Sequence, residues 1–194
     1  MVDPTFAPFL DLLFRWNKAY NLTAFEGPEE AMRECVAPSL LAAHLLPQGA
    51  RFLDVGSGGG FPAIPLLLAR PDLRATLCEP SHAKAAFLRE AGARWKLPLR
   101  VEARPVEALL RASAERWDGV TVRGVRLRKG LLKQLASVLS PGGILLIWSG
   151  GDRAGHYEEW MGGCGLEVHR TPAGGGTLLL SGRVPRGTAP GDGA

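Results

Sequence analysis

The chain has 194 residues, 46% of them hydrophobic, which predicts one domain with a full core. Its formal net charge of +4 is small for a nucleic-acid-binding protein but has the expected sign. The sequence shows no basic leader followed by an apolar core and no run long enough to span a bilayer, so we expect a cytoplasmic protein without a membrane partner.

The N-terminal residues 1–47 are expected to form a helical cap ahead of the first strand. In the first helix, apolar residues recur close to the 3.6-residue period and give one apolar face: Phe6, Phe9, Leu10, Leu13, Phe14 and Trp16. A second helix is predicted from Pro28, with acids in its first turn, and it should be broken or kinked at Pro38.

From residue 51 onward, strand-like and helix-like segments alternate, which predicts a doubly wound α/β domain with a mostly parallel sheet over residues 48–184. The predicted strands are 51–55, 74–79, 99–103, 117–122 and 142–148, and the predicted helices are 62–69, 83–95, 106–114, 129–138 and 154–163. Two further strands, 166–171 and 177–184, should pair antiparallel at the sheet edge. Residues 185–194 have no anchoring apolar side chain and are expected to be disordered.

A glycine-rich loop follows the first predicted strand, in the stretch RFLDVGSGGGFPAIPLLLARP at residues 51–71. A phosphate loop is excluded, because no Gly-Lys-Ser/Thr ends the glycine run. A dinucleotide fingerprint would place its third glycine where this chain has Phe61. Three interpretations remain at this point: an S-adenosylmethionine pocket, an NAD-type site, and a tight turn that binds no ligand.

Two acids favour the methyl donor. Asp54 ends the apolar run directly before the glycines, where it would meet the ammonium end of S-adenosylmethionine. Glu79 ends the next strand-like run, about 20 residues beyond the loop, which is the spacing of an acid that accepts hydrogen bonds from ribose hydroxyls. We therefore expect Asp54 and the backbone of Gly56, Gly58 and Gly60 to bind the amino-acid end of the donor, and Glu79 to bind its ribose.

Five cations with no acid between them occupy residues 122–133: Arg123, Arg126, Arg128, Lys129 and Lys133. Beside a ligand cleft such a cluster would bind nucleic-acid phosphates, and the alternative is a solvated loop and helix face. The cysteines and histidines show neither Cys-x-x-Cys pairs nor metal-ligand spacing, so we expect no metal and no disulfide framework.

Three segments resemble the 16S ribosomal RNA guanine-N7 methyltransferase family (RsmG, also called glucose-inhibited division protein B). They are RWNKAYNLTA at residues 15–24, FLDVGSGGGFPAIPLLLARPD at 52–72 and WDGVTVRG at 117–124. The similarity runs from about Phe9 to Trp148. The N-terminal segment is the most specific, because glycine-rich methyltransferase loops are common, whereas Trp-Asn-x-x-x-Asn-Leu-Thr ahead of one is not.

The resemblance implies a class I S-adenosylmethionine-dependent methyltransferase, with a Rossmann-like sheet, and N7 of a guanine in 16S rRNA of the small ribosomal subunit as the acceptor. Carried over position by position, it implies donor contacts at Gly56, Phe61, Val106, Glu107 and Arg123. The candidate catalytic residues are Arg123, at the junction of donor and acceptor, Asn21 and Arg33. Capping of helices and turns is the alternative role of Asn21.

The chain departs from the family pattern on the acceptor side. Ser149-Gly150 stands where the family has Lys-Gly after the fifth strand, and Gly176-Thr177 stands where it has Arg-His before the last strand. The alternatives are therefore a methyltransferase with a different RNA or small-molecule acceptor and a non-catalytic RNA-binding relative. We expect a monomer.

Overall fold

The computed structural model describes residues 2–186. The tail expected to be disordered lies outside the described residues from 187 onward. Among the described helices, none has both the length and the apolarity that crossing a membrane requires.

The N-terminal segment is helical, as predicted. It forms α1 (Ala7–Tyr20), α2 (Pro28–Ala31), a π-helical segment (Met32–Val36) and α3 (Ala37–Leu40). Phe9, Leu10 and Leu13 on α1 are fully buried, which confirms the apolar face expected from the 3.6-residue period.

The expected break at Pro38 is absent, because Pro38 lies within α3, and the departure from α-helical geometry is the π-helical segment that ends at Val36. Because proline has no backbone N–H, Pro38 cannot donate a hydrogen bond to the carbonyl of Glu34, four residues earlier. That carbonyl instead accepts a hydrogen bond from Nη2 of Arg123. The proline thus leaves free an acceptor that joins the cap to the sheet.

The remaining elements alternate as predicted. The strands are β1 (Arg51–Val55), β2 (Arg74–Cys78), β3 (Leu99–Glu102), β4 (Trp117–Arg123), β5 (Leu139–Gly150), β6 (Glu167–Pro172) and β7 (Thr177–Arg183). The helices are α4 (Ala63–Ala69), α5 (His82–Arg94), α6 (Val106–Ala112), α7 (Lys129–Ser137) and α8 (Gly151–Gly162). Most boundaries fall within a few residues of the expected ones, and β5 extends further at both ends.

Within residues 2–186, the strands form one sheet in the order β3-β2-β1-β4-β5-β7-β6. Strands β1 to β5 are parallel, and β7 pairs antiparallel with both β5 and β6. The antiparallel pair at the sheet edge was predicted; of its two strands, β6 is the edge strand and β7 lies between β5 and β6. The strand order reverses between β1 and β4, and ligands of open α/β sheets bind at the carboxyl ends of strands at such a point.

Each face of the sheet is covered by a hydrophobic layer. On one face, Phe52 packs with residues of the cap, α4 and α5. On the other, Leu53 and Val55 pack with residues of α6, α7 and α8. The cap shares the first layer and has no separate core, and its division from the rest of the chain after residue 47 stays a prediction.

Candidate functional site

The glycine loop joins the carboxyl end of β1 to α4 and lies against the carboxyl end of β2. The N–H of Gly56 donates to the carbonyl of Cys78 at 2.8 Å. Gly56 and Gly58 have φ values of +68° and +51°, in the left-handed region where a side chain costs about 1–2 kcal/mol. Glycine is therefore the residue that this turn requires.

These two glycines face different surroundings. A Cβ atom at Gly56 would lie 2.4 Å from Cγ2 of Val125, in the loop between β4 and α7. A Cβ atom at Gly58 would meet nothing closer than the carbonyl oxygen of Gly56 at 3.7 Å, and Gly58 lines a cavity. The absence of a side chain at Gly56 thus makes room for the Val125 side chain, whereas its absence at Gly58 leaves space that a ligand can occupy.

Glu79 fixes the conformation of this loop. Its Oε2 accepts a hydrogen bond from the N–H of Gly58 at 2.9 Å, and its Oε1 accepts one from the N–H of Ser81 at 2.8 Å. The residue is only 6% exposed. Each carboxylate oxygen has a second lone pair, so Glu79 can still accept hydrogen bonds from a ligand.

Asp54 is fully buried beside the loop. Its Oδ1 accepts a hydrogen bond from the hydroxyl of Thr121 at 2.7 Å, whereas Oδ2 has no partner among the described residues. Burial raises the pKa of the Asp54 carboxyl to about 7, against the opposing effect of the Thr121 and Ser57 hydroxyls. A buried carboxylate with an unused oxygen suits a cationic ligand group that reaches it.

A cavity of about 530 Å³ opens at the carboxyl ends of β1, β2 and β4. Its walls bring together residues that are far apart in the chain: Val55, Gly56, Gly58, Cys78, Glu79, Pro80, Lys84, Pro105, Val106, Glu107, Gly124, Val125, Arg126, Arg128 and Leu131. We call it the larger cavity. Its volume falls within the range of about 300–1,000 Å³ typical of small-molecule sites.

A second cavity, of about 260 Å³, lies at the carboxyl ends of β4 and β5 and is called the smaller cavity. It is lined by Arg123, Gly124, Val125, Trp148, Ser149, Gly150, Arg153, Tyr157 and Thr177. Gly124 and Val125 line both cavities, so the start of the β4–α7 loop separates them.

Five of the residues predicted to bind the donor line the larger cavity: Gly56, Gly58, Glu79, Val106 and Glu107. Three others lie close by in the same part of the fold without lining it. Asp54 is buried behind the loop, Gly60 packs against Ile64, and Phe61 makes an edge contact with Phe9 at a ring-centroid distance of 5.5 Å.

The three candidate catalytic residues do not come together. Arg123, which was also predicted to contact the donor, lines the smaller cavity and not the larger one. Asn21 is the left-handed C-cap of α1, where its N–H donates to the carbonyl of Asn17. The Arg33 side chain is exposed and pairs with Glu34 at 2.8 Å. Asn21 and Arg33 line neither cavity, so their catalytic roles stay predictions, and the capping alternative describes the observed contacts of Asn21.

Sequence reasoning missed several residues of the two cavities. Val125, Arg153 and Tyr157 carry no motif, and only the fold brings them to the carboxyl ends of the strands. Thr121, two residues before Arg123, could have been noticed as a polar residue in an apolar strand, and it is the hydrogen-bond partner of Asp54.

Comparison with known proteins gives a consistent result. The model of the family described as rRNA small subunit methyltransferase G (GidB) matches residues 3–166. The protein named ribosomal RNA small subunit methyltransferase G from Xanthomonas axonopodis pv. citri is 39% identical over 143 residues, which cover 73% of this chain and 66% of that protein. A relative of the same name from Stenotrophomonas maltophilia is 38% identical and covers 77% and 71%. The chain thus spans about two thirds of the length of these relatives.

Solved structures share the fold at low sequence identity. An O-methyltransferase family protein from Burkholderia thailandensis matches 94% of this chain and 69% of its own length, with a TM-score of 0.66 and 15% identity. A precorrin-6Y C5,15-methyltransferase from Geobacter metallireducens matches 85% and 92%, with a TM-score of 0.65 and 14% identity. The fold is therefore that of the class I methyltransferases.

Proposed function

Because the chain belongs to the rRNA small subunit methyltransferase G family, we propose that it transfers a methyl group from S-adenosylmethionine to N7 of a guanine in the 16S rRNA of the small ribosomal subunit. The observation that carries the proposal is the larger cavity, which lies where the strand order of the sheet reverses and is bordered by the glycine loop and two carboxylates.

The residues around the larger cavity fit the donor. The unpartnered Oδ2 of Asp54 would receive the ammonium group, directly or through a water molecule, and the free space at Gly58 would allow the amino-acid end to approach the backbone. Glu79 would accept hydrogen bonds from the ribose hydroxyls, while Val106 and Glu107 would border the adenine. A phosphate-bearing cofactor is less compatible with this arrangement of carboxylates.

When bound, S-adenosylmethionine supplies a methyl group attached to a positively charged sulfur. The in-plane lone pair of guanine N7 can attack this methyl group directly, because N7 carries no proton that must first be removed. The chain therefore needs no strong general base. Its residues have to hold the two partners in line and exclude water, and positioning of this kind can contribute roughly 7–11 kcal/mol. The pairing of two adjoining cavities on either side of Gly124 and Val125 supports this role.

Cations around the mouth of the larger cavity support an RNA partner. Arg126 and Arg128 are exposed and line this cavity with Lys84, and none of the three makes an ion pair with another described residue. A sulfonium donor has no phosphate for them to bind. We propose that they bind phosphates of the rRNA next to the acceptor nucleotide.

The proposal is tested in two steps with the purified chain. Isothermal titration with S-adenosylhomocysteine, which occupies a donor site but cannot react, should give a dissociation constant in the micromolar range. Transfer of labelled methyl groups to small ribosomal subunits that lack the modification should follow, with the label recovered as 7-methylguanine. Donor binding without transfer to any RNA would instead favour a non-catalytic relative, and transfer to another base would favour a different acceptor.

A further inference from the structure

The smaller cavity differs from the larger one in the chemistry of its walls. Arg123 and Arg153 both contribute guanidinium groups, and none of the described residues that line the cavity is acidic. Ser149 and Thr177 add hydroxyl groups. The lining side chains are therefore cationic or neutral, in contrast to the carboxylates of Glu79 and Glu107 across the β4–α7 loop. The Ser149 hydroxyl donates to the carbonyl of Gly150, and Arg153 pairs with Asp152 at 3.8 Å.

One donor of Arg123, a residue that lines this cavity, has no hydrogen-bond partner within residues 2–186. Nη2 of Arg123 donates to the carbonyl of Glu34 and lies 3.4 Å from Sγ of Cys35. Nη1 of the same guanidinium is buried and has no hydrogen-bond partner among the described residues. Since an unpaired buried donor is costly, and a charged one more so, the position calls for an acceptor atom.

The aromatic walls of the smaller cavity are held in place by their own hydrogen bonds. Nε1 of Trp148 donates to the carbonyl of Pro38 at 3.0 Å, and the hydroxyl of Tyr157 accepts from the N–H of Leu127 at 3.2 Å. Both side chains are at most 5% exposed. The cavity is thus pre-formed, with two fixed aromatic residues and several polar groups around a space of about 260 Å³.

We propose that the smaller cavity receives the acceptor base, and that Arg123 and Arg153 recognise a ring carbonyl oxygen such as O6 of guanine. The inference rests on the proposed function. Guanine offers O6 as a hydrogen-bond acceptor. Adenine carries an amino group at the same position, so its N–H donors would face the N–H donors of two guanidinium groups. Arg123 and Arg153 are then specificity-determining residues for guanine against adenine.

Position favours a base over a phosphate as the occupant. The reacting atom has to meet the methyl group, and the smaller cavity adjoins the proposed donor site directly, across Gly124 and Val125. The atom that accepts the methyl group belongs to the base. The volume, less than half that of the larger cavity, also suits one planar heterocycle rather than a whole cofactor.

The test uses guanosine monophosphate and adenosine monophosphate as probes, titrated into the chain saturated with S-adenosylhomocysteine so that neither can enter the donor site. We expect guanosine monophosphate to bind about tenfold more tightly, because only its base carries a ring carbonyl oxygen where adenine has an amino group. R153Q should reduce this preference to about threefold or less and leave the affinity for S-adenosylhomocysteine unchanged. R111Q is the matched control, because Arg111 is exposed on α6 and lines neither cavity.

The outcomes separate the two proposals. Failure of S-adenosylhomocysteine to bind would overturn the proposed function itself. Normal binding of S-adenosylhomocysteine with equal affinity for the two nucleotides, or with no nucleotide binding, would overturn only the base pocket. Competition by inorganic phosphate that is as strong as that by guanosine monophosphate would show a phosphate site instead. If R153Q prefers guanosine monophosphate over adenosine monophosphate as strongly as R111Q does, Arg153 does not take part in recognising the base.

Discussion

The two cavities share a wall but are built in different ways. The larger one is formed by the ends of β1, β2 and β4 and is bordered by a glycine loop whose conformation Glu79 holds through two backbone N–H groups. The smaller one is formed by β4, β5, β7 and α8 and is bordered by side chains, chiefly arginines and aromatic residues. Backbone groups of the glycine loop thus contribute to the first site beside side chains such as Glu79 and Glu107, whereas side chains form most of the second.

This difference has a chemical consequence. A backbone-lined site varies little with sequence, because its hydrogen-bonding groups belong to every residue, whereas a side-chain-lined site changes with each substitution. Gly56, Val106 and Glu107, three of the positions implied by the resemblance, line the larger cavity. The smaller cavity includes Ser149 and Thr177, which stand where the resemblance implies lysine and histidine. Two of the departures from the implied family pattern therefore lie at the smaller cavity.

The largest expected effect is on the larger cavity alone. G58V would place methyl groups in the space beside the glycine loop, so the affinity for S-adenosylhomocysteine should fall by about 100-fold or more, or ~3 kcal/mol. G49V is the matched control, because Gly49 has a similar φ of +68° and nothing within 4 Å of a Cβ atom, but lies outside both cavities. Isothermal titration of both variants makes the comparison, and equal affinities would show that Gly58 does not border the donor.

A smaller effect is expected from the proton on Asp54. Burial raises the pKa of this carboxyl to about 7. Below that pH, Asp54 of the donor-free protein must release a proton before it can present a negative charge to the ammonium group. Affinity for S-adenosylhomocysteine should therefore rise about tenfold between about pH 6 and about pH 8, and D54N should bind more weakly with little pH dependence. A pH dependence that persists in D54N would assign the titration to another group.

The same pKa has a consequence for stability. The folded carboxyl titrates near 7 and the unfolded one near 3.8, so between these values the folded state holds the extra proton. The contribution of Asp54 to stability is full below about pH 4 and is lost as the pH rises through 7. Chemical denaturation across this pH range should measure the free energy of unfolding of the donor-free chain and of D54N. The difference between the two free energies should shrink toward acidic pH.

The smallest expected effect concerns the rim and leaves both cavities intact. R126Q and R128Q should each weaken RNA binding severalfold and reduce the slope of log affinity against log salt by about one. S-adenosylhomocysteine affinity and the nucleotide preference of the smaller cavity should not change. R111Q is the control. If the slope of log affinity against log salt is unchanged in both R126Q and R128Q, the cations of residues 122–133 form a solvated surface and do not bind RNA.

Much of this arrangement could be predicted from local sequence. Asp54 and Glu79 end parallel strands that are neighbours in the sheet, so their approach follows from alternation and right-handed winding alone. The glycine loop was predictable because its backbone conformation excludes most side chains. The periodicity of α1 correctly gave the buried face of the cap.

The rest depends on contacts between distant segments that carry no local signal. Arg123 donates a hydrogen bond to the carbonyl of Glu34, which Pro38 cannot do because it has no N–H. This contact exists only when the cap is packed against the sheet. Phe61 was expected at the donor, but its ring packs on Phe9 in the core. The smaller cavity requires β7 to lie between β5 and β6, and the sequence indicated only that the last two strands pair with each other.

The contact of Gly56 with Val125 constrains the order in which this site could change over generations. A methyl group at position 56 would collide with Val125 and would also be strained by the φ of +68°, whereas loss of bulk at position 125 alone would leave only a small void. Position 125, which belongs to no recognisable motif, is thus sterically coupled to position 56, which does.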